Sequence, residues 1–267
     1  MWRSRTKRQI VSAGLLNPGL RAIRLAAIGV LALLMLGAVA MTPRAGSVVY
    51  VIPVDGIIDL GLAPFVERAL DEAAAAGAAA VILNIDTFGG RVDAAVQIRD
   101  ALLRARVKTV AFINKRAISA GALISLAADT IVMAEGGTIG AATPVQIGLP
   151  GTPAQPVEEK TVSYLRKEFR ATAESRTRPP ELAEAMVDAD VEIPGVIAKG
   201  KLVTLTTEEA LQHKLADFRA DTLDALLKVL NLSDAEIHHA SETWAESLVR
   251  VLTHPVVSSI LIAVGML

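Results

Sequence analysis

At 267 residues the chain has room for one sizeable core with appendages, or at most two small domains. Apolar residues make up 52% of it and aromatic residues only 3%, so aliphatic side chains supply the packing. A net charge of −1 gives no case for a nucleic-acid partner, and the lack of cysteine excludes disulfides, thiolate metal sites and a cysteine nucleophile. A mean hydropathy of +0.45 is high for a purely soluble chain and points to membrane segments.

The first acidic residue is Asp55, whereas Arg3, Arg5, Lys7, Arg8, Arg21 and Arg24 precede an uncharged stretch from Leu25 to Met41. A basic region, an apolar run and an Ala38-Val39-Ala40 exit form a signal pattern over residues 1–41. The run leaves both cleavage after Ala40 and retention as a signal anchor open, and either way the chain after Met41 is expected on the extracytoplasmic side.

Ser47 to Val54 is a β-branched apolar run and reads as a strand, with Asp55-Gly56 turning out of it. Leu62 to Ala76 is helical, with Phe65, Val66, Ala69, Leu70 and Ala73 on one face and Gly77 as its stop. Ala79 to Ile85 is a second buried strand. Asp86-Thr87-Phe88-Gly89-Gly90 then leads into a helix from Val92 to about Ala105. Val107 to Asn114 is a third strand, Ala120 to Ala128 a helix of small residues, and Thr130 to Met133 a fourth strand. Strands alternating with helices predict parallel βαβ units and an α/β fold.

From Gly136 to Pro156 the periodicity fades into a long loop, which usually has a function. It runs into a helix from Val157 to about Thr177, and Arg178-Pro179-Pro180 separates this from a helix over Glu181 to Asp188. Lys201 to Leu205 reads as a strand, Thr206 and Glu209 form a capping box, and Asp221 to Leu230 is a last amphipathic helix. Residues 229–254 read as a polar linker. The apolar tail 255–267 is too short to span a bilayer alone and reads as the start of a membrane helix in a truncated chain, with a short interfacial helix as the alternative.

Ser119 falls at a strand-to-helix turn, where unpaired N–H groups at the helix start could hold an oxyanion beside its hydroxyl. The ordinary role there is an N-cap. Gly89-Gly90 lets a backbone approach a ligand closely, although a tight βα turn needs glycines too. Asp86 reads as an Asx-type turn residue, with a functional acid as the alternative. Lys160 opens a helix after Glu158 and Glu159; buried beside a serine its ammonium would lose affinity for its proton, whereas a solvated surface lysine is the commoner case. His213, His238, His239 and His254 all come late, which gives a Ser-His-Asp triad and a His238-His239 metal site little support.

Taken together and in order, Asp86–Gly90, Ala117–Gly121, Ala127-Ala128-Asp129 and Gly137–Val145 resemble the N-terminal domain of NfeD membrane serine proteases, of the ClpP and signal-peptide-peptidase-A class. The resemblance covers about residues 47–228 and implies a ClpP/crotonase-like spiral of ββα units. It implies a Ser-Lys dyad, with Ser119 as nucleophile and Lys160 as general base in a K-x-x-x-Y setting completed by Tyr164. The amides of Gly89, Gly90 and Ala120 would be the oxyanion hole. Phe88 departs from the family's usual proline, and Ile118 from its usual alanine.

The expected function is an exported, membrane-associated serine endopeptidase that cleaves apolar segments of a stomatin-like membrane protein, needing no metal or nucleotide. A homodimer is left open as the assembly. A catalytically idle scaffold for such a membrane partner is the main alternative, and a crotonase-type acyl-CoA enzyme fits poorly with export.

Overall fold

The computed structural model describes residues 47–146 and 155–265. The expected signal or anchor at 1–41 and part of the long loop lie outside them. Four parallel strands form the centre of the fold: β1 (Val48–Ile58), β2 (Ala80–Gly90), β3 (Thr109–Ile118) and β4 (Thr130–Met133). Two short strands, β9 (Phe218–Arg219) and β10 (Glu236–His239), extend this sheet in the order β10-β1-β2-β3-β4-β9, all in parallel pairs. Side chains alternate across it. Val49, Val51, Ala80, Ile82, Val110 and Phe112 pack on one face, and their neighbours Ile52, Val54, Val81, Leu83, Ala111 and Ile113 on the other. Burial on both faces explains why these strands read as continuous apolar runs rather than alternating ones.

The larger core lies under α1 (Leu62–Ala75), α2 (Val92–Arg104), α3 (Ala120–Ala127), α4 (Glu159–Ser175) and α5 (Pro180–Val187). Helix α1 stops as the sequence predicts. Gly77 takes φ +65°, its amide reaches the Ala74 carbonyl at 3.1 Å, and the Ala78 amide reaches that of Ala73 at 2.9 Å. This double closure satisfies carbonyls that would otherwise end the helix unpaired.

The first three strands run several residues past their apolar stretches, and there the ladders slip. The β1/β2 register shifts between Asp55 and Ile57, and the β2/β3 register between Ile85 and Thr87. Such irregularities bend strands and re-aim the residues beyond them. Past the slip, the end of β3 pairs with β5 (Thr138–Gly140), which pairs antiparallel with β8 (Thr204–Thr206). The long loop carries a hairpin of β6 (Val145–Gln146) and β7 (Gln155–Pro156).

The capping box at the start of α6 (Thr207–Gln212) forms as expected, with Glu209 reaching back to the Thr206 amide at 2.9 Å. Helix α7 (Leu223–Val229) covers the smaller core. The stretch expected as a linker is structured. It supplies β10 at the sheet edge and α8 (Trp244–Thr253), which is tied to α1 by Arg68 and Glu246 at 2.8 Å. An edge strand of four residues with a single apolar side chain, Ile237, carries too weak a periodic signal to be read from sequence.

Helix α9 (Pro255–Gly265) comes last. Among the described residues no single helix is long and apolar enough to cross a membrane. Trp244–Thr253 and Val256–Gly265 reach that length and composition together, bent by 72°.

Candidate active site

The site is built where β3 hands over to α3. Ser119 sits between them with φ 56° and ψ −118°, a conformation that costs an L-residue about 1–3 kcal/mol and persists only where surroundings enforce it. The surroundings do so from both sides. Its amide donates to the Gly140 carbonyl at 2.9 Å, and its own carbonyl accepts from Ala122 at 2.9 Å. It occupies the N-cap position of α3, yet its hydroxyl makes no capping hydrogen bond. The commonest reason for a serine at a helix start is therefore absent.

Helix α3 is buried along its whole length. Its far end is held by two guanidinium groups: Arg176 donates to the Ala127 carbonyl at 2.8 Å, and Arg178 to those of Ala128 and Leu126 at 3.0 and 3.3 Å. Cations there complement the helix dipole and leave its positive end facing Ser119. Burial works against the Arg178 charge and lowers its pKa, while Asp217 at 3.3 Å opposes that effect.

Gly89 lies directly over Ser119. With φ +108° it adopts a backbone that suits glycine, and a Cβ there would stand 2.7 Å from the Ser119 Cβ and 3.1 Å from its Oγ. Of the three amides expected as oxyanion donors, that of Gly89 is engaged, donating to Thr87 Oγ1 at 2.9 Å. The Arg91 amide donates to Ile58 on the β1 side at 2.8 Å. N–H directions alternate along a strand, so the intervening Gly90 amide is directed to the β3 side, where Ser119 sits. The Ala120 amide opens α3 and has no backbone acceptor among the described residues.

Sequence reasoning missed Thr87 as an organiser. Its hydroxyl donates to the Gly56 carbonyl at 2.5 Å and accepts from Gly89, so it fixes the turn from both strands. A threonine two residues before a glycine at a strand end was the available signal, since such hydroxyls bond their own backbone nearby. It missed the Gly140 carbonyl as well, because a contact between segments 21 residues apart leaves no local pattern.

Ser119 borders a small cavity of about 90 Å³, lined mainly by Ala95, Leu123, Ala142, Pro144, Leu165 and Phe169. These side chains are apolar, Ser119 and Thr143 add hydroxyls at the wall, and the volume suits one aliphatic side chain. A larger hollow of about 540 Å³ lies elsewhere, between α1 and α2 among charged side chains such as Glu67, Asp71 and Arg104.

Lys160 stands in the first turn of α4 with its side chain 82% exposed, paired with Glu158 at 2.9 Å. Tyr164, one turn further on, is half exposed; burial first, and then the nearby Glu168 carboxylate, raises its phenol pKa. Asp86 forms no Asx turn among the described residues. It pairs with Lys115 and Arg116, each at 3.3 Å, and the Arg116 guanidinium lies 4.5 Å above the exposed Phe88 ring. The histidines lie elsewhere: His213 ends α6, His238 stacks on Tyr50 at 4.5 Å, His239 ends β10 and His254 comes directly after α8. No cluster of side chains able to hold a metal occurs among the described residues.

The arrangement of slipped strands, glycine turn and buried helix has the ClpP-class fold. It overlays on the 1510-N membrane-bound stomatin-specific protease, as a lysine-to-alanine mutant in complex with a substrate peptide, with a TM-score of 0.67 at 24% identity, covering 78% of this chain and 99% of that one. It overlays on ClpP1 from Listeria monocytogenes with a TM-score of 0.51 at 18% identity, covering 66% and 94%.

Residues 48–240 match the family model described as NfeD1b, N-terminal domain, and the chain belongs to that family. It is 36% identical to membrane protein NfeD1b of Bacillus subtilis (strain 168) over 249 residues, which are 93% of this chain and 56% of that protein. It is 25% identical to membrane-bound protease PH1510 of Pyrococcus horikoshii over 240 residues, 83% and 52% respectively. The chain thus spans about half the length of these curated relatives.

Proposed function

We propose that this protein is an exported, membrane-associated serine endopeptidase that cuts extended apolar segments of a stomatin-like membrane partner. The observation that carries this reading is Ser119. It is held at positive φ with an uncapped hydroxyl, beneath a glycine that leaves room for a substrate carbonyl and beside a cavity for one aliphatic side chain. Its relatives' names support the substrate class: PH1510 is called a membrane-bound protease, and its solved N-terminal domain a stomatin-specific one.

In this mechanism Ser119 Oγ attacks the scissile carbonyl as Lys160 Nζ takes its proton. The Gly90 and Ala120 amides hold the resulting oxyanion, and Gly89 serves through its missing side chain rather than its amide. Lys160 then gives the proton to the leaving amine; the neutral Lys160 amine next takes a proton from water, whose oxygen attacks the acyl carbon, and returns that proton to Ser119 Oγ as the acyl group leaves. The substrate strand pairs with backbone beside the site, so apolar side chains enter the cavity while main-chain hydrogen bonds give grip. Substrate engagement must draw Lys160 from Glu158 into hydrogen-bond reach of Ser119 and away from water. Catalytic hydrogen bonds often close only in the substrate complex.

The Lys160–Glu158 pair, exposed as it is, favours a second reading in which the fold is a catalytically idle scaffold. Incubating the full chain with apolar peptides and sequencing the products by mass spectrometry separates the two. Cleavage by the native chain and none by Ser119→Ala supports the protease. No cleavage by either, with partner assembly kept in both, supports the scaffold.

A further inference from the structure

Helix α8 meets α1 through Arg68 and Glu246, and through Arg250 it also reaches the turn between β1 and α1. Asp59 there is 7% exposed and its Oδ1 accepts from the Gly61 and Leu62 amides at 2.9 and 3.0 Å, which starts α1. Its Oδ2 accepts from Arg250 Nε of α8 at 3.1 Å. The same guanidinium donates to Glu242 and, at 3.4 Å, to the Ile57 carbonyl. Gly61 is there for this contact: a Cβ on it would stand 2.4 Å from Arg250 Cγ and 2.9 Å from the Arg250 amide.

Ile57 and Ile58 are the β1 residues that pair with Gly89 and Gly90. The fit is tight, since a Cβ on Gly90 would lie 2.1 Å from the Ile58 carbonyl oxygen, which also accepts the Arg91 amide at 2.8 Å. Arg250 therefore grips the end of β1 one residue from the backbone against which the Gly90 amide is set.

From this path we infer that Arg250 is a positioning residue for the active site, holding the end of β1 so that the Gly90 amide keeps its aim at the Ser119 side. It touches no substrate and acts through Asp59 and Ile57. An oxyanion donor is worth about 10²–10³ in rate when lost outright, and a misplacement near 1 Å costs a sizeable part of that. Arg68 gives the comparison that separates positioning from mere docking. It also ties α8 to α1, through Glu246 at 2.8 Å, but touches neither Asp59 nor Ile57.

The inference rests on the protease reading, so the test has one arm that needs no catalysis. In the full chain, Arg250→Gln, Gly61→Ala, their double variant and Arg68→Gln are compared with the native protein for peptide cleavage and for hydrogen exchange at the Arg91 amide. The expected result is a roughly tenfold fall in kcat with KM unchanged for Arg250→Gln and for Gly61→Ala, no further fall in the double variant, and near-native kcat for Arg68→Gln. Arg91 exchange rises in the first three variants and not in the fourth. An equal fall in kcat for Arg68→Gln, or a native kcat in Arg250→Gln, overturns the inference. If the native chain cleaves nothing, the protease reading fails by itself, and unchanged Arg91 exchange in Arg250→Gln then overturns the coupling independently.

Discussion

Strain at Ser119 predicts an inversion of the usual effect of glycine. Ser119 holds φ 56° and ψ −118°, a region almost reserved for glycine, at a cost of about 1–3 kcal/mol. Ser119→Gly removes that cost, and since the hydroxyl caps nothing, no capping bond is lost with it. Against the gain stands the extra conformational entropy glycine loses on folding, about 0.5–1 kcal/mol. The net expectation is a stabilisation of about 1 kcal/mol, or a Tm about 2–4 °C higher in a domain this size. Ser119→Ala keeps the Cβ and with it the strain, so it stays near native stability. Both variants lose the proposed nucleophile and should fall by about 10⁴ or more in kcat. Denaturant unfolding of the three proteins side by side measures the stability order. A glycine variant no more stable than the alanine variant refutes the claim that the fold holds Ser119 under strain.

Three further outcomes are expected from the geometry. Glu246 is held down to about pKa 2 by its bonds from Arg68, against 4.5 when unfolded. A depressed carboxylate stabilises above its unfolded pKa, so this tie is complete above about pH 4.5 and fades as pH falls toward 2. With allowance for solvent screening it is worth about 1 kcal/mol, and Glu246→Gln should erase that pH-dependent difference in thermal unfolding. Ala95→Leu fills the cavity beside Ser119 and should cut kcat/KM about 10–100-fold for peptides with leucine at the cleaved position, while sparing those with alanine; equal losses for both would remove the cavity from the specificity account. Arg178→Ala leaves the buried carbonyls of Leu126 and Ala128 without their donor and should cost about 3 kcal/mol in denaturant unfolding.

The features legible in the sequence were local. The stop of α1 at Gly77, the Thr206–Glu209 capping box and the bounds of β4 all depend on residues within a few positions of one another, and the structure repeats them. The βαβ alternation and the motifs in order were enough for the fold. The strand ends were not legible, because β1, β2 and β3 continue through polar residues held by register slips and by β5, a partner far along the chain. Asp86 looked like a turn former, but Lys115 and Arg116 on the neighbouring strand decide its bonding. Three candidate amides could be named from glycines and a helix start. Only the fold reveals that Thr87 has taken the one from Gly89. Lys160 is the remaining case: its place at the head of α4 is legible in the sequence, whereas its reach depends on where a long side chain points.

The proposed mechanism stands on Ser119 as a nucleophile activated by Lys160. Reaction of the full chain with a fluorophosphonate, with peptide mapping in mass spectrometry, tests it directly. One adduct is expected on Ser119, absent in Ser119→Ala, and forming at least about 10²-fold more slowly in Lys160→Ala. An adduct on another serine, or labelling of Ser119 at the native rate without Lys160, would contradict it.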